Sequence, residues 1–154
     1  MATDCFIFDL DGTLCDVTHR RHHVTTRPKD WKAWHAGIAL DTPHEPVLRV
    51  LKGVEWACSG DVVLVSGRSE DYRAETKAWL YKHHIDRSSY KHLLMRKSGD
   101  HRADDIIKSE IADQLENEMG YRIVGVFDDR PRVLRMWQQR GIFTFDVGQG
   151  CADF

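Results

Sequence analysis

Two aspartates one residue apart, Asp9 and Asp11, close an apolar run in the stretch FIFDLDGTLCD, and Gly12 and Thr13 follow at once. Carboxylates so placed have three chemical uses. They can bind a hard divalent cation, one can attack as a nucleophile, and one can carry protons as a general acid and base. The plain alternative is a pair of loop carboxylates capping a turn. Two more apolar runs also end in polar groups: DVVLVSG in Ser66 and Gly67, and RIVGVFDD in Asp128 and Asp129.

Such residues need a scaffold that gathers distant strand ends. CFIF (5–8), DVVLVSG (61–67), KHLLM (91–95), RIVGVFDD (122–129) and IFTFDV (142–147) read as short apolar strands. Between them, PVLRVLKGVEWA (46–57), EDYRAETKAWLYKHH (70–84), ADDIIKSEIADQLENEMG (103–120) and PRVLRMWQQRG (131–141) read as helices. Val47, Leu48, Val50, Leu51 and Val54 recur at helical spacing. Gly120 is a helix stop, Pro131 suits a first turn, and Gly141 follows an end. This alternation predicts an α/β fold, a Rossmann-like parallel sheet with helices on both faces. Ligands of such sheets bind beyond the carboxyl ends of the strands, so Asp9, Asp11, Ser66, Asp128 and Asp129 are expected on one edge.

Length and composition fit that scaffold. The 154 residues predict one domain, 1–154, with 42% apolar and 30% charged residues, ordinary for a folded globular chain. The net charge of −2 excludes a general polycation, so nucleic-acid contact would need a local basic patch. Cys5, Cys15, Cys58 and Cys151 form no C-x-x-C pair or zinc spacing. Cys5 in an apolar strand reads as a reduced, buried thiol. No apolar run approaches the roughly 18 residues of a membrane span, and MATDCF lacks signal-peptide features. The expected setting is cytoplasmic, with no membrane partner.

The motifs together resemble the haloacid dehalogenase superfamily of phosphatases. DLDGT (9–13), Ser66 in VVLVSGR, Lys108 in DDIIKSE, and Asp128 with Asp129 in FDDR match its four motifs in order. VVLVSGR, GDHRADDIIKSEI, FDDRPRVLRMWQQRGI and the terminal GCADF further resemble the phosphatase half of bacteriophage-type polynucleotide kinase/phosphatase enzymes. That resemblance covers nearly the whole chain and is weakest at 15–45. It implies a Mg²⁺-dependent phosphatase. Asp9 would be the nucleophile and form an aspartyl-phosphate. Asp11 would protonate the leaving group and then activate water. Asp9 and Asp128 would hold Mg²⁺ by their side chains, Asp11 through its backbone carbonyl, and Asp129 directly or through water. Gly12 permits the turn, and Thr13 hydrogen-bonds near Asp9. Ser66 and the Gly67 N–H would donate to the phosphoryl group. Lys108 supplies positive charge, and Asp104, one helical turn before it, orients the ammonium. Outside this set, Asp104 and Lys108 would read as an exposed helix pair. Arg68 and Arg20 match functional arginines of the family, with Arg21 the alternative to Arg20 in register. Arginine suits bidentate phosphate recognition, although any one of them alone would read as a surface charge.

Residues 15–45 interrupt the rhythm. They are too polar for a sheet strand and too long for a tight loop, so they read as a cap over the same edge, with a short helix at 29–39. Residues 17–35 carry Arg20, Arg21, Arg27, Lys29 and Lys32 against Asp30, a local balance of +4. Trp31 and Trp34 offer base-stacking surfaces beside that charge, or pin the cap to the body. His22 and His23 are not expected to bind a metal, and His83, His84, His92 and His101 read as surface or core-edge residues. Trp56, Trp79 and Trp137 are expected to pack in the core.

The expected activity is removal of a 3′-phosphate from DNA or RNA ends, or from nucleotides, including 2′,3′-cyclic phosphates. The alternatives are a nucleotidase acting on free 5′-nucleotides or other small esters, and a non-catalytic module binding nucleic-acid ends. No G-x-x-x-x-G-K-S/T kinase motif is present, so a stand-alone phosphatase module is expected. A kinase or ligase partner on a separate chain is compatible with that.

Overall fold

The computed structural model describes residues 1–57 and 60–149. Cys58, Cys151 and the terminal GCADF lie outside the described residues. Strand β1 (Thr3–Phe8) leads straight into the first acidic pair. The cap follows as β2 (Cys15–Asp16), α1 (His22–Thr25), α2 (Trp31–Ala36) and β3 (Thr42–Pro43). Then come α3 (Glu45–Ala57), β4 (Asp61–Ser69), α4 (Arg73–Lys82), β5 (His92–Arg96), α5 (Asp104–Asp113), β6 (Tyr121–Asp128), α6 (Pro131–Gln139) and β7 (Phe143–Asp146).

The main sheet has the order β5-β4-β1-β6-β7, and every neighbouring pair is parallel. Side chains of a strand alternate between faces, and β1 does so here. Cys5 and Ile7 join Ile107, Ile111 and Trp137 on one face. Phe8 joins Leu51, Leu64 and Trp79 on the other, with Phe6 packed against that cluster. Each such side chain contributes about 1.5–3 kcal/mol when fully buried. The double-sided core holds the parallel strands rigid, so their carboxyl ends form one fixed edge.

Several local expectations change. The 70–84 segment opens as a 3-10 turn at Glu70–Tyr72 before α4, with Ser69 Oγ accepting from the Asp71 N–H. The 103–120 helix is α-helical to Asp113 and then forms a π-helical turn at Gln114–Glu118. In the cap, α2 is shorter than the expected 29–39 helix, and Asp30 caps it by accepting from Ala33 N at 2.9 Å. A 3-10 turn at Ile38–Leu40 follows. Residues 15–45 add no strand to the main sheet, but β2 and β3 pair antiparallel within the cap, which the polar reading did not anticipate. A two-residue ladder needs only backbone partners, so polar composition does not forbid it. Trp79 and Trp137 are buried, but Trp56 is 90% exposed. Leu51 and Val54 form the buried face of α3, and Trp56 projects from the far side. No helix among the described residues is long and apolar enough to cross a membrane.

Candidate active site

The carboxyl ends of the paired strands β1 and β6 share a buried cation. Lys108 sits one turn into α5, on the helix face that buries Ile107 and Ile111. Its ammonium donates to Asp9 Oδ1 at 2.9 Å and to Asp128 Oδ2 at 2.8 Å. Thr13 Oγ1 donates to the other Asp9 oxygen at 3.0 Å. Asp128 Oδ1 accepts the backbone N–H groups of Asp129 and Arg130. Gly12 adopts φ +86°, and a Cβ there would overlap the Asp129 carboxylate. Glycine is therefore required twice over, by conformation and by space.

Asp9, Asp128 and Asp129 are all buried, and their oxygens lie within 4.8 Å of one another. Burial pushes the Asp9 carboxyl well above the ordinary range; Lys108 opposes this, while Asp128 and Asp129 reinforce it. Asp129 is pushed up to about 6 by burial and by Asp128. Burial disfavours the Lys108 ammonium, but Asp128 and Asp9 more than offset that and raise its proton affinity well above normal. The cluster is thus short of positive charge. Its donors are hard oxygens, the set that Mg²⁺ prefers, so these residues fit a divalent cation.

Asp11 belongs to a second ion cluster. Arg68 Nε donates to its two oxygens at 3.1 and 3.0 Å, and Arg20 Nη2 donates to Oδ1 at 2.6 Å. Both arginines are buried, with side chains 1% exposed. Burial alone would raise the Asp11 carboxyl, but the two guanidiniums overcome it and hold it well below the usual range. Asp41 completes the cluster. It accepts from Arg20 Nε at 2.7 Å and Nη2 at 2.6 Å, from Arg68 Nη2 at 3.3 Å, and pairs with His19 at 2.8 Å. Its backbone oxygen accepts the Trp79 indole N–H, tying the cap's end to the body. Arg20 also stacks over the Trp34 ring at 4.1 Å.

Of the two adjacent arginines, Arg20 is the one that reaches Asp11. Arg21 precedes α1, where its backbone oxygen accepts from Val24 and Thr25. Ser66 Oγ is buried and accepts the Arg68 N–H at 3.1 Å. Asp104 lies 3.6 Å from Lys108, as the helical spacing implies, and also 3.4 Å from Arg96 and 3.4 Å from Arg130. It packs so tightly on Gly67 that a Cβ there would overlap it. Asp41, Arg96 and Arg130 were missed by sequence reasoning. Asp41 adjoins a turn with no motif around it. Arg130, inside FDDR beside the acidic pair, carried the one usable signal.

Asp9, Asp11, Arg68, Lys108, Asp128 and Asp129 line a cleft of about 540 Å³ that the cap borders. Lys29, Trp31, Lys32 and His35 form its cap wall, and Arg102 and Arg132 also line it. Both cap tryptophans border the cleft, but Trp34 is 3% exposed and packs under Arg20, whereas Trp31 is 47% exposed.

Fold and site together define a phosphatase domain of the haloacid dehalogenase type. The chain belongs to the family described as polynucleotide kinase PNKP phosphatase domain, which residues 3–154 match. It is 33% identical over 147 residues to an Autographa californica nuclear polyhedrosis virus protein named as a bifunctional polynucleotide kinase/RNA ligase; the match covers 95% of this chain and 19% of that protein. It is also similar to a chain in the solved Pnkp1/Rnl/Hen1 complex, with 33% identity and a TM-score of 0.75, covering 95% of this chain and 45% of that one. The class C acid phosphatase from Bacillus anthracis shares the fold, with a TM-score of 0.60 at 16% identity, covering 97% of this chain and 71% of that one. The chain thus spans less than half the length of the first two relatives.

Proposed function

We propose that this domain removes 3′-phosphate from polynucleotide ends or nucleotides, with Mg²⁺ and an aspartyl-phosphate formed on Asp9. The carrying observation is the placement of Lys108 between Asp9 and Asp128, beside an acidic cluster short of positive charge. Phosphoryl transfer is mostly positioning and charge stabilisation. Asp9, Asp128 and Asp129 would hold the ion, with the Asp11 carbonyl assisting, and Mg²⁺ would offset the repulsion between a carboxylate and a phosphate anion.

Asp9 attacks phosphorus, the bond to the nucleoside oxygen breaks, and Asp11 gives that oxygen a proton. Water then attacks the phosphoryl group, gives its proton back to Asp11, and the Asp9–phosphorus bond breaks. As it stands, Asp11 is an ionised carboxylate bound by Arg20 and Arg68. A phosphate entering the cleft competes for Arg68, which lines it beside Asp11, and so frees Asp11 to take up the proton it must donate. Ser66, the Gly67 N–H and Lys108 would contact the phosphoryl oxygens.

The cationic and aromatic cap wall supports a nucleic-acid substrate, since basic side chains follow phosphates and aromatic rings stack on bases. The viral relative's name joins polynucleotide kinase to RNA ligase, so repair of ends alongside kinase and ligase activities is the setting proposed. The free thiols of Cys5 and Cys15 suit a reducing cytoplasm. Phosphate release from a 3′-phosphorylated oligonucleotide, compared with free 3′- and 5′-mononucleotides, tests the substrate reading. Turnover confined to free 5′-nucleotides would overturn it.

A further inference from the structure

The ladder between β4 and β5 breaks where the phosphoryl-binding turn begins. Ser66 pairs with Met95, and the next pairing is Ser69 with Arg96. Gly67 and Arg68 bulge out between them, and a bulge strips backbone groups of their ladder partners. A part-buried carbonyl so released still gains from another donor. For Gly67 that donor is a side chain: Arg96 Nε reaches its oxygen at 2.8 Å. The same guanidinium donates through Nη1 to the carbonyls of Asp100 at 3.1 Å and Arg102 at 2.6 Å. Through Nη2 it reaches Asp104 Oδ1 at 3.4 Å. Arg96 therefore joins the turn, the 97–103 loop and the start of α5.

The consequence lies in the peptide unit that Arg96 grips. A trans peptide points its C=O and N–H in opposite directions. Fixing the Gly67 carbonyl toward Arg96 aims the Arg68 N–H the other way, onto Ser66 Oγ at 3.1 Å. There the hydroxyl oxygen accepts. Its own hydrogen stays available for a different acceptor.

We propose that Arg96 is a positioning residue for the phosphoryl-binding turn: it locks the Gly67–Arg68 peptide so that the Ser66 hydroxyl donates to the substrate. This rests on the reading of Ser66 as a phosphoryl contact. In this role Arg96 acts through the peptide it holds. Its planar fork serves several carbonyls in fixed directions, which a lysine cannot reproduce.

A double-mutant cycle on a small aryl phosphate with Mg²⁺ tests the lock without depending on a nucleic-acid substrate. Arg96→Ala should lower kcat about 10- to 100-fold, the scale of a misplaced contact, with KM changed less than about threefold. In the Ser66→Ala background the same substitution should cost almost nothing, and guanidinium ion at millimolar concentration should partly restore Arg96→Ala alone. If circular dichroism shows Arg96→Ala unfolded, Arg96→Lys runs through the same cycle, with a smaller loss and the same non-additivity. A full Arg96 effect persisting without the Ser66 hydroxyl would overturn the lock. A fully active Ser66→Ala enzyme would instead remove the reading of Ser66 on which it rests.

Discussion

Lys108 Nζ donates to Asp9 Oδ1 at 2.9 Å, across 99 residues of sequence. The ammonium is 2% exposed and its carboxylate partner 7%. A buried pair of this kind is costly to break from one side, because the charge left behind has no water to solvate it.

Lys108→Met keeps most of the volume and removes the charge. In EDTA it should destabilise the domain by about 3–5 kcal/mol, measured by urea denaturation. Saturating Mg²⁺ should recover part of that, since the ion supplies positive charge to the same carboxylates. Activity should fall by about 10²–10³, the usual scale for a missing electrostatic stabiliser. A variant equally destabilised with and without Mg²⁺ would count against a shared acidic site.

The acidic cluster also sets a pH dependence. Asp129 rises from an ordinary 3.8 to about 6 in the folded chain. Between those values the folded state keeps a proton that the unfolded state has lost, so stability falls as pH rises through this window. A rise of that size is worth about 3 kcal/mol. Asp9 is raised in the same direction and adds to the slope. Asp11 is lowered and acts oppositely, its stabilisation being lost only as pH falls below the ordinary carboxylate range. Without metal, Tm should be higher at about pH 5 than at about pH 7.5. Asp129→Asn and added Mg²⁺ should each flatten that slope. A slope unchanged by both contradicts the charge deficit.

The cap tryptophans separate stability from binding. Trp34→Ala should cost about 3–5 kcal/mol, since it empties a buried site, and should loosen Arg20, which stacks on that ring. Trp31→Ala should change stability by less than about 0.5 kcal/mol and raise KM for a 3′-phosphorylated oligonucleotide about tenfold through lost stacking. Equal KM changes for oligonucleotide and aryl phosphate would mean that Trp31 meets no base.

The sheet was legible because each strand is an apolar run bounded by turn residues, and one-sided convergence follows from parallel topology. Asp9, Asp11, Ser66, Asp128 and Asp129 were readable from their places at strand ends. Lys108 and Asp104 entered only through the family resemblance, since their helical spacing alone read as an exposed pair, whereas Lys108 is buried. Asp41 and Arg96 were not readable, because their roles depend on tertiary approach. Asp41 reaches arginines 21 and 27 residues away, and Arg96 serves a carbonyl exposed by a bulge. The β2–β3 ladder was hidden because two residues per strand leave no periodicity. Trp56 was misplaced because composition marks a tryptophan as core-forming, while its side of α3 decides.

The central claim is that Asp9 becomes phosphorylated. The direct measurement is mass spectrometry of acid-quenched protein during turnover of a 3′-phosphorylated oligonucleotide with Mg²⁺. A hydroxylamine-labile phosphate should appear on the peptide containing Asp9 and be absent from Asp9→Asn, which should also be inactive while keeping its fold. Continued hydrolysis by Asp9→Asn, or a labile phosphate on another residue, would contradict the mechanism.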